Sequence, residues 1–438
     1  MATHASIVAD LISRWPEHRI APSTARVAAL LDLLGSPERS YPLVQIAGTN
    51  GKGSTAIMID ALLRAAGLRT GRFSSPHLTD LTERIAIDGE PISSDRFDEL
   101  YTEVAPYIAM VDDMQLDGVE MTFFEVMTGL AYAAFADAPV DVAIIEVGLG
   151  GTWDATNVAD ATVAVVAPID FDHTHILGDT IEQIADEKAG IIKPGSIAVL
   201  AGQRPEVARI LTARASEVGA SVLREGVEFG LLSRSLAVGG QLLRIQTGDG
   251  PVGDLFLPLF GEHMARNAAL AEAAVEALLG RSLSAEILTE GFASVEAPAR
   301  LELIRRSPAI VLDTAHNPHG VAAAMAGLRE SFDFTYLVAV VAMMADKDVE
   351  GVLRIIAEQA DAVVVTRVAS TDRGLPVDEL AELAGESFGE VRVADNVPAA
   401  LEVATAMADA AGTHSGVLVI GSVILAGEAR ALLAKADS

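Results

Sequence analysis

One stretch constrains this chain more than any other: Gly48-Thr49-Asn50-Gly51-Lys52-Gly53-Ser54-Thr55. A short apolar run, Leu43 to Ala47, precedes it, and an apolar helical pattern, Ala56 to Ala66, follows it. Strand, glycine-rich turn, Lys-x-Ser and helix is the order that cradles nucleotide phosphates. Glycines let backbone N–H groups approach phosphate oxygens, a lysine adds a point charge, and a hydroxyl can reach Mg²⁺. The spacing is a variant. The general template puts a glycine five positions before the glycine of the Gly-Lys pair, and Ile46 stands there.

At 438 residues the chain exceeds one ordinary core, so two domains are expected. It has no cysteine, which excludes disulfides, zinc–thiolate sites, iron–sulfur clusters and a cysteine nucleophile. No basic segment followed by an apolar core marks a leader at the N-terminus. The longest uncharged apolar runs, Tyr336–Ala345 and Gly416–Gly427, are too short to span a bilayer and read as buried strands with their turns. A formal net charge of −30 argues against nucleic acid as a partner. It also obliges an anionic nucleotide to rely on Mg²⁺ and a few local cations.

Apolar runs alternate with helical patterns through most of the chain. Leu43–Ala47, Gly71–Ser74, Val140–Val147, Thr162–Pro168 and Ser196–Ala201 read as strands, and Arg96–Tyr107, Phe123–Ala136 and Thr180–Ala189 as helices. That alternation predicts an α/β fold with a largely parallel sheet. Ala220–Leu257, glycine-rich with short alternating runs, predicts a small antiparallel subdomain, and Ala265–Leu279 a long alanine-rich helix. The pattern restarts near Glu296-Ala297-Pro298-Ala299-Arg300. Strands are expected at Ala309–Asp313, Thr335–Ala342, Ala362–Arg367 and Gly416–Ile420. Domains are therefore expected at 1–297 and 298–438, the second a Rossmann-like α/β domain.

Polar residues cluster where these strands end. Ser74-Ser75-Pro76-His77 follows one strand, and Glu146 closes another ahead of Gly148-Leu149-Gly150-Gly151. A carboxylate at the C-terminal end of a buried parallel strand sits where ligands bind in open α/β sheets, and there it needs a cation. Asp170 to His175 follows the next strand. Glu187-Lys188 ends a helix, Gly261 to Asn267 opens the alanine-rich one, and Asp313-Thr314-Ala315-His316 follows the first strand of the second domain.

Taken in order, these segments resemble the folylpolyglutamate synthase and dihydrofolate synthase family of Mur-ligase-like, ATP-dependent amide ligases. The carrying segments are GTNGKGS at 48–54, SSPHL at 74–78, ERIAIDGEPIS at 83–93, TFFE at 122–125, EVGLGG at 146–151, DATN at 154–157, DHTHILG at 172–178, EKAGIIKPG at 187–195, DTAHNP at 313–318, DKD at 346–348 and GSVILAGEAR at 421–430. Met264 after His263, Thr314 and Thr82 depart from the usual pattern.

The resemblance implies a ligase that adds L-glutamate to dihydropteroate, to a folate polyglutamate, or to both. Its nucleotide contacts would be Thr49, Asn50, Gly51, Lys52, Gly53, Ser54, Asn267, Arg300 and Asp313. Ser75, Glu146 and His173 match Mg²⁺ ligands, with two ions expected and ATP as co-substrate. Lys188 matches a lysine that the family carbamylates, and Lys52, Lys188 and His316 are the expected catalytic residues. Thr122, Phe123, Phe124, Glu125, Trp153 and Arg84 match the pterin side. A cytoplasmic monomer is expected, with no nucleic-acid or membrane partner. The alternatives are a monofunctional folylpolyglutamate synthase, another Mur-type amide ligase, and a P-loop ATPase or switch that makes no amide bond. The second is disfavoured because too little chain precedes the loop for a UDP-sugar domain.

Overall fold

The computed structural model describes residues 3–14 and 21–436; part of the N-terminal segment read for a leader lies outside these. Two compact units emerge, each discontinuous in sequence. The first comprises Met1–Ser233, Leu243–Phe256 and Arg266–Val295, the second Arg234–Leu242, Leu257–Ala265 and Glu296–Ser438.

The first unit is built on an eight-stranded sheet. Its strands are β1 (Leu43–Ala47), β2 (Thr70–Phe73), β3 (Ile85–Ile87), β4 (Glu90–Pro91), β5 (Val142–Glu146), β6 (Val163–Val166), β7 (Ile197–Leu200) and β8 (Ser221–Arg224). They run in the order β4-β3-β2-β5-β1-β6-β7-β8. β2 and β5 to β8 are parallel to β1, and β3 and β4 add an antiparallel edge. All five residues of β1 and of β5 are buried. Strands covered on both faces favour apolar side chains at nearly every position, which is why these segments read as near-continuous apolar runs; the buried Gln45 in β1 is accommodated by donating to the Thr156 hydroxyl. Each fully buried aliphatic side chain contributes about 1.5–3 kcal/mol.

Ser221–Arg224 departs from the sequence expectation. It lies inside the stretch read as an antiparallel subdomain, yet it pairs in parallel with β7. The helix Pro205–Val218 supplies the crossover that parallel pairing needs. The small sheet proper consists of β9 (Gly230–Ala237), β10 (Gly240–Thr247) and β11 (Gly250–Leu257), in the order β11-β10-β9.

Two helices start at capping signals written in the sequence, while the helices expected at Arg96–Tyr107 and Ala265–Leu279 start earlier, at Ser94 and Glu262, the first of them running on to Asp113. Thr122 and Thr180 form capping boxes with Glu125 and Gln183 three residues on. The helix Phe123–Asp137 is further anchored by a buried ion pair, in which Arg26 Nε donates to both carboxylate oxygens of Glu125 at 3.0 Å. The phosphate-loop helix, Lys52–Ala65, buries Asp60, which accepts from Arg64 Nε and from the Thr70 hydroxyl on β2.

The second unit carries β12 (Arg300–Arg306), β13 (Ala309–Asp313), β14 (Tyr336–Val341), β15 (Ala362–Val365), β16 (Val391–Val393) and β17 (Ser415–Ile420), in the order β12-β13-β17-β14-β15-β16. β12 is antiparallel to β13 and the rest are parallel. The apolar run Gly416–Gly427 holds more than a strand and its turn. A helix starts at Val423, because the run continues on a buried helix face (Leu425, Ala426) that hydropathy alone does not distinguish from a strand. Among the described residues no helix is long and apolar enough to cross a membrane.

Candidate active site

In the first sheet β2, β5, β1 and β6 are neighbours, so their C-terminal ends place four loops side by side. These are 74–77, 147–151, the phosphate loop and 168–173. The chain leaves β1 toward β2 on one side and reaches β6 on the other, which is the switch point where open α/β sheets bind ligands.

The phosphate loop is tightly determined. Gly51 has φ +84°, and a Cβ there would lie 2.9 Å from Asn267 Oδ1, so the Asn267 amide rests directly against the turn. Gly48 approaches so closely that a Cβ would meet Ala167 Cβ at 2.8 Å. Lys52 opens the helix, where the first backbone N–H groups lack intrahelical acceptors and suit an anion. Its Nζ donates to Gly48 O at 3.2 Å. Lys188, from the end of the helix Ile181–Ala189, donates to the same oxygen at 3.0 Å. Two lysine amines therefore converge on one carbonyl. Burial, followed by the charge of Lys52, pushes the Lys188 amine down to about 7, against the pull of Asp172, Glu187 and Asp154. Lys193, the second lysine of that segment, turns away to bind the carbonyls of Asn157 and Ala159.

Glu146 ends β5 only 5% exposed, and Ser75 N donates to its Oε2 at 3.3 Å. Arg72, on the neighbouring strand, bonds Ser74 Oγ and feels the charges of both Glu146 and Asp60. His173 adopts φ +51° at the start of the short helix Thr174–Leu177, and its N–H donates to Asp172 Oδ1 at 2.8 Å. Among the described residues no group of three or more His, Asp or Glu side chains forms a ready chelate. The expected donor set is instead a hydroxyl, a carboxylate and an imidazole. So sparse a set fits Mg²⁺, which keeps several waters and takes ligands from substrate phosphates.

The expected pterin-side residues divide by environment. Thr122 and Glu125 are buried in the helix cap, and Glu125 also holds Arg26. Arg84, 2% exposed, donates from Nε to His77 Nδ1 at 2.9 Å and lies 5.0 Å from the centroid of Phe123. Phe124 and Trp153 are half-buried and border the 147–151 loop. Phe124 packs on Phe73 and covers Gly148, where a Cβ would collide with its ring. Trp153 N donates to Glu187 Oε1. The sequence offered no signal for Arg26 or Arg72, because nothing local marks a charge whose partner is distant in the chain.

The second unit has its own cluster. Arg300 opens β12 directly opposite Asp313, the last residue of β13. Asp313 accepts from Leu301 N and Ala315 N; burial raises its carboxyl above the ordinary range, while Arg300 opposes this. His316 Nδ1 lies 3.0 Å from Thr314 O. His263 is pushed down to about 4 by burial, with Arg300, His319 and Arg234 adding to the effect.

This architecture defines a nucleotide-binding α/β enzyme of the P-loop type with a second α/β domain. Residues 46–275 match the Mur ligase middle domain, and 299–423 the Mur ligase glutamate ligase domain. The chain is 48% identical to the dihydrofolate synthase/folylpolyglutamate synthase of Mycobacterium tuberculosis, over 97% of this chain and 93% of that one. It is 33% identical to the Escherichia coli enzyme of the same name, over 91% and 88%. The fold matches the M. tuberculosis folylpolyglutamate synthase complexed with ADP, at TM-score 0.95 and 47% identity, with 98% of each chain covered. E. coli FolC in complex with DHPP and ADP matches at TM-score 0.87 and 32% identity, covering 100% of this chain and 99% of that one. The chain belongs to the folylpolyglutamate synthase/dihydrofolate synthase family of Mur ligases. It is an ATP-dependent ligase.

Proposed function

We propose that this ligase joins L-glutamate to dihydropteroate and to folate polyglutamates, as a bifunctional dihydrofolate synthase/folylpolyglutamate synthase. A carboxylate is a poor acylating agent because its leaving group is oxide. Its oxygen therefore attacks the γ-phosphorus of ATP, ADP leaves, and an acyl phosphate forms. The glutamate amine then attacks the acyl carbon, loses a proton, and phosphate departs. The protein's part in the first step is positioning and charge neutralisation. The observation that carries this reading is the loop at the end of β1, with Lys52 and Lys188 on one carbonyl beside the Glu146 and 168–173 loops.

Lys52 and the helix N-terminus would hold the phosphates, with Asn267 against the turn. The resemblance assigns nucleotide contacts to Arg300 and Asp313 and the incoming glutamate to His316. Ser75, Glu146 and His173 would hold Mg²⁺, which when bound neutralises phosphate charge. A carbamate on Lys188 would add an anion for a second ion. Phe124 and Trp153 are the half-buried pair suited to a flat ring. The absence of cysteine suits a reducing cytoplasm.

The test is product mass analysis with dihydropteroate and tetrahydrofolate supplied separately, alongside ATP turnover. Glutamate added to both acceptors, with ATP consumption dependent on acceptor, is the expected result. Addition to tetrahydrofolate alone makes the enzyme monofunctional. ATP turnover indifferent to acceptor and glutamate overturns the ligase reading.

A further inference from the structure

Thr49 and Asn50, in the phosphate loop, turn backbone donors toward the neighbouring loop. The backbone N–H of Thr49 and that of Asn50 both donate to Pro168 O, at 2.9 and 3.3 Å. The Thr49 hydroxyl donates to Asp170 O at 2.9 Å and accepts from Asp170 N at 3.1 Å. Its one proton is thus committed, across 121 positions of sequence, to the backbone of the neighbouring loop. Asp170 is fixed on its other side as well. Arg204 Nη2 reaches both its carboxylate oxygens at 2.9 Å, and Phe171 N donates to Oδ1 at 2.8 Å. Three residues beyond Asp170 stands His173, in its left-handed conformation.

We propose that Thr49 is a positioning residue: its hydroxyl latches the phosphate loop to the backbone at Asp170 and thereby sets where His173 is presented. The side chain of Thr49 then has no direct part in holding ATP, in contrast to the role expected from the resemblance. The two loops become one rigid piece, so that the group binding phosphate and the group binding metal keep a fixed spacing. This rests on His173 being a Mg²⁺ ligand, and the experiment separates the two ideas.

Mn²⁺ binding to the full chain with AMPPCP is measured by electron paramagnetic resonance, and ADP binding in EDTA by calorimetry, for wild type and for Thr49→Val, Thr49→Ser and His173→Ala. Thr49→Val keeps the shape but loses both hydrogen bonds. It is expected to weaken Mn²⁺ by about tenfold or more, the scale for losing a group that orients a metal ligand, while metal-free ADP affinity changes by less than about twofold. Thr49→Ser restores the hydroxyl and the Mn²⁺ affinity, which a merely structural methyl would not do. If His173→Ala weakens Mn²⁺ and Thr49→Val does not, the latch is wrong. Equal losses in Thr49→Ser and Thr49→Val also overturn it, as does a parallel loss of metal-free ADP binding. If His173→Ala itself leaves Mn²⁺ unmoved, the ligand assignment beneath the proposal fails, and the latch with it.

Discussion

Lys188 should carry CO₂ at neutral pH, and the structure sets how much easier this is than for an ordinary lysine. Carbamylation needs the neutral amine. An exposed lysine of pKa about 10.4 is neutral in roughly one molecule in 2,500 at pH 7. Burial against Gly48 brings the Lys188 amine to about 7, so that about half is neutral there. The reactive fraction is therefore about a thousandfold larger. The sign is fixed: the amine protonates as pH falls through about 7, so carbamate and activity are lost on the acid side. At constant dissolved ¹³CO₂, the initial rate at which the carbamate signal grows in ¹³C NMR follows the neutral amine, and it should rise about fivefold from pH 6 to pH 7 and less than about twofold from pH 7 to pH 8. An unperturbed lysine would gain about tenfold at each step. Lys188→Ala should lose the signal and most activity, with partial rescue by short carboxylic acids. Lys188→Arg should be no better and not rescued. A wild-type protein with no carbamate at saturating CO₂ refutes the reasoning. So does a signal that survives Lys188→Ala, or a Lys188→Arg enzyme that keeps most of its turnover.

Lys52→Ala should lower turnover by at least ~10²-fold, the scale for one preorganised electrostatic donor; near-normal turnover with an unchanged circular dichroism spectrum contradicts its role. Glu125→Ala removes the buried carboxylate partner of Arg26, itself 1% exposed, and leaves it Asp117 at 3.4 Å and the carbonyls of Ala21 and Leu116, so denaturant titration should find the variant destabilised by about 3 kcal/mol, the low end for breaking a buried pair. A stable variant whose only defect is a raised KM for the pterin substrate would place Glu125 in the binding site instead. Glu272 is fully buried in the alanine-rich helix, and burial with the neighbouring Glu276 pushes its carboxyl up to about 10. Unfolded, it ionises near pH 4.3, so above that the folded state must hold a proton the unfolded chain releases; stability falls by roughly 3–4 kcal/mol between there and pH 7. Glu272→Gln should therefore raise Tm at pH 7 and leave it unchanged at pH 4, and equal shifts at both pH values contradict this.

Local pattern exposed the parts of this protein that local physics determines. β1 and β5 were readable because strands buried on both faces are mostly apolar, with only Gln45 and the terminal Glu146 polar among their ten residues. The phosphate loop was readable because a backbone that must bend sharply and approach an anion needs glycine. The candidate site was partly readable for the same reason, since polar residues just past apolar runs have few places to be except strand ends. Partnerships were not readable. Arg26 finds Glu125 across 99 positions, and Lys188 finds Gly48 across 140. Periodicity says which face a residue occupies and nothing about what lies opposite. β8 escaped for a related reason: its four residues are exposed or half-buried, so no apolar signature marked it as an edge of the main sheet.

The charge of −30 raised a question that the site resolves locally. A nucleotide entering so acidic a protein meets repulsion that salt screens within about 8 Å at physiological ionic strength. What matters is the charge within that radius of the loop. Two lysines reach Gly48 O, but a second full cation buried beside Lys52 is opposed by desolvation and by Lys52 itself, and the Lys188 amine yields. Burial and Lys52 thus bring the Lys188 amine down to about 7, so that about half of it is neutral at pH 7. A purely cationic phosphate site would gain from keeping both charged. A neutral buried amine is open to chemistry that consumes it, and the proposed addition of CO₂ would turn it into a carboxylate beside the phosphate loop. The two lysines on one carbonyl are therefore not equivalent: burial lowers the Lys188 amine, which suits the proposed carbamate better than it suits a second phosphate clamp.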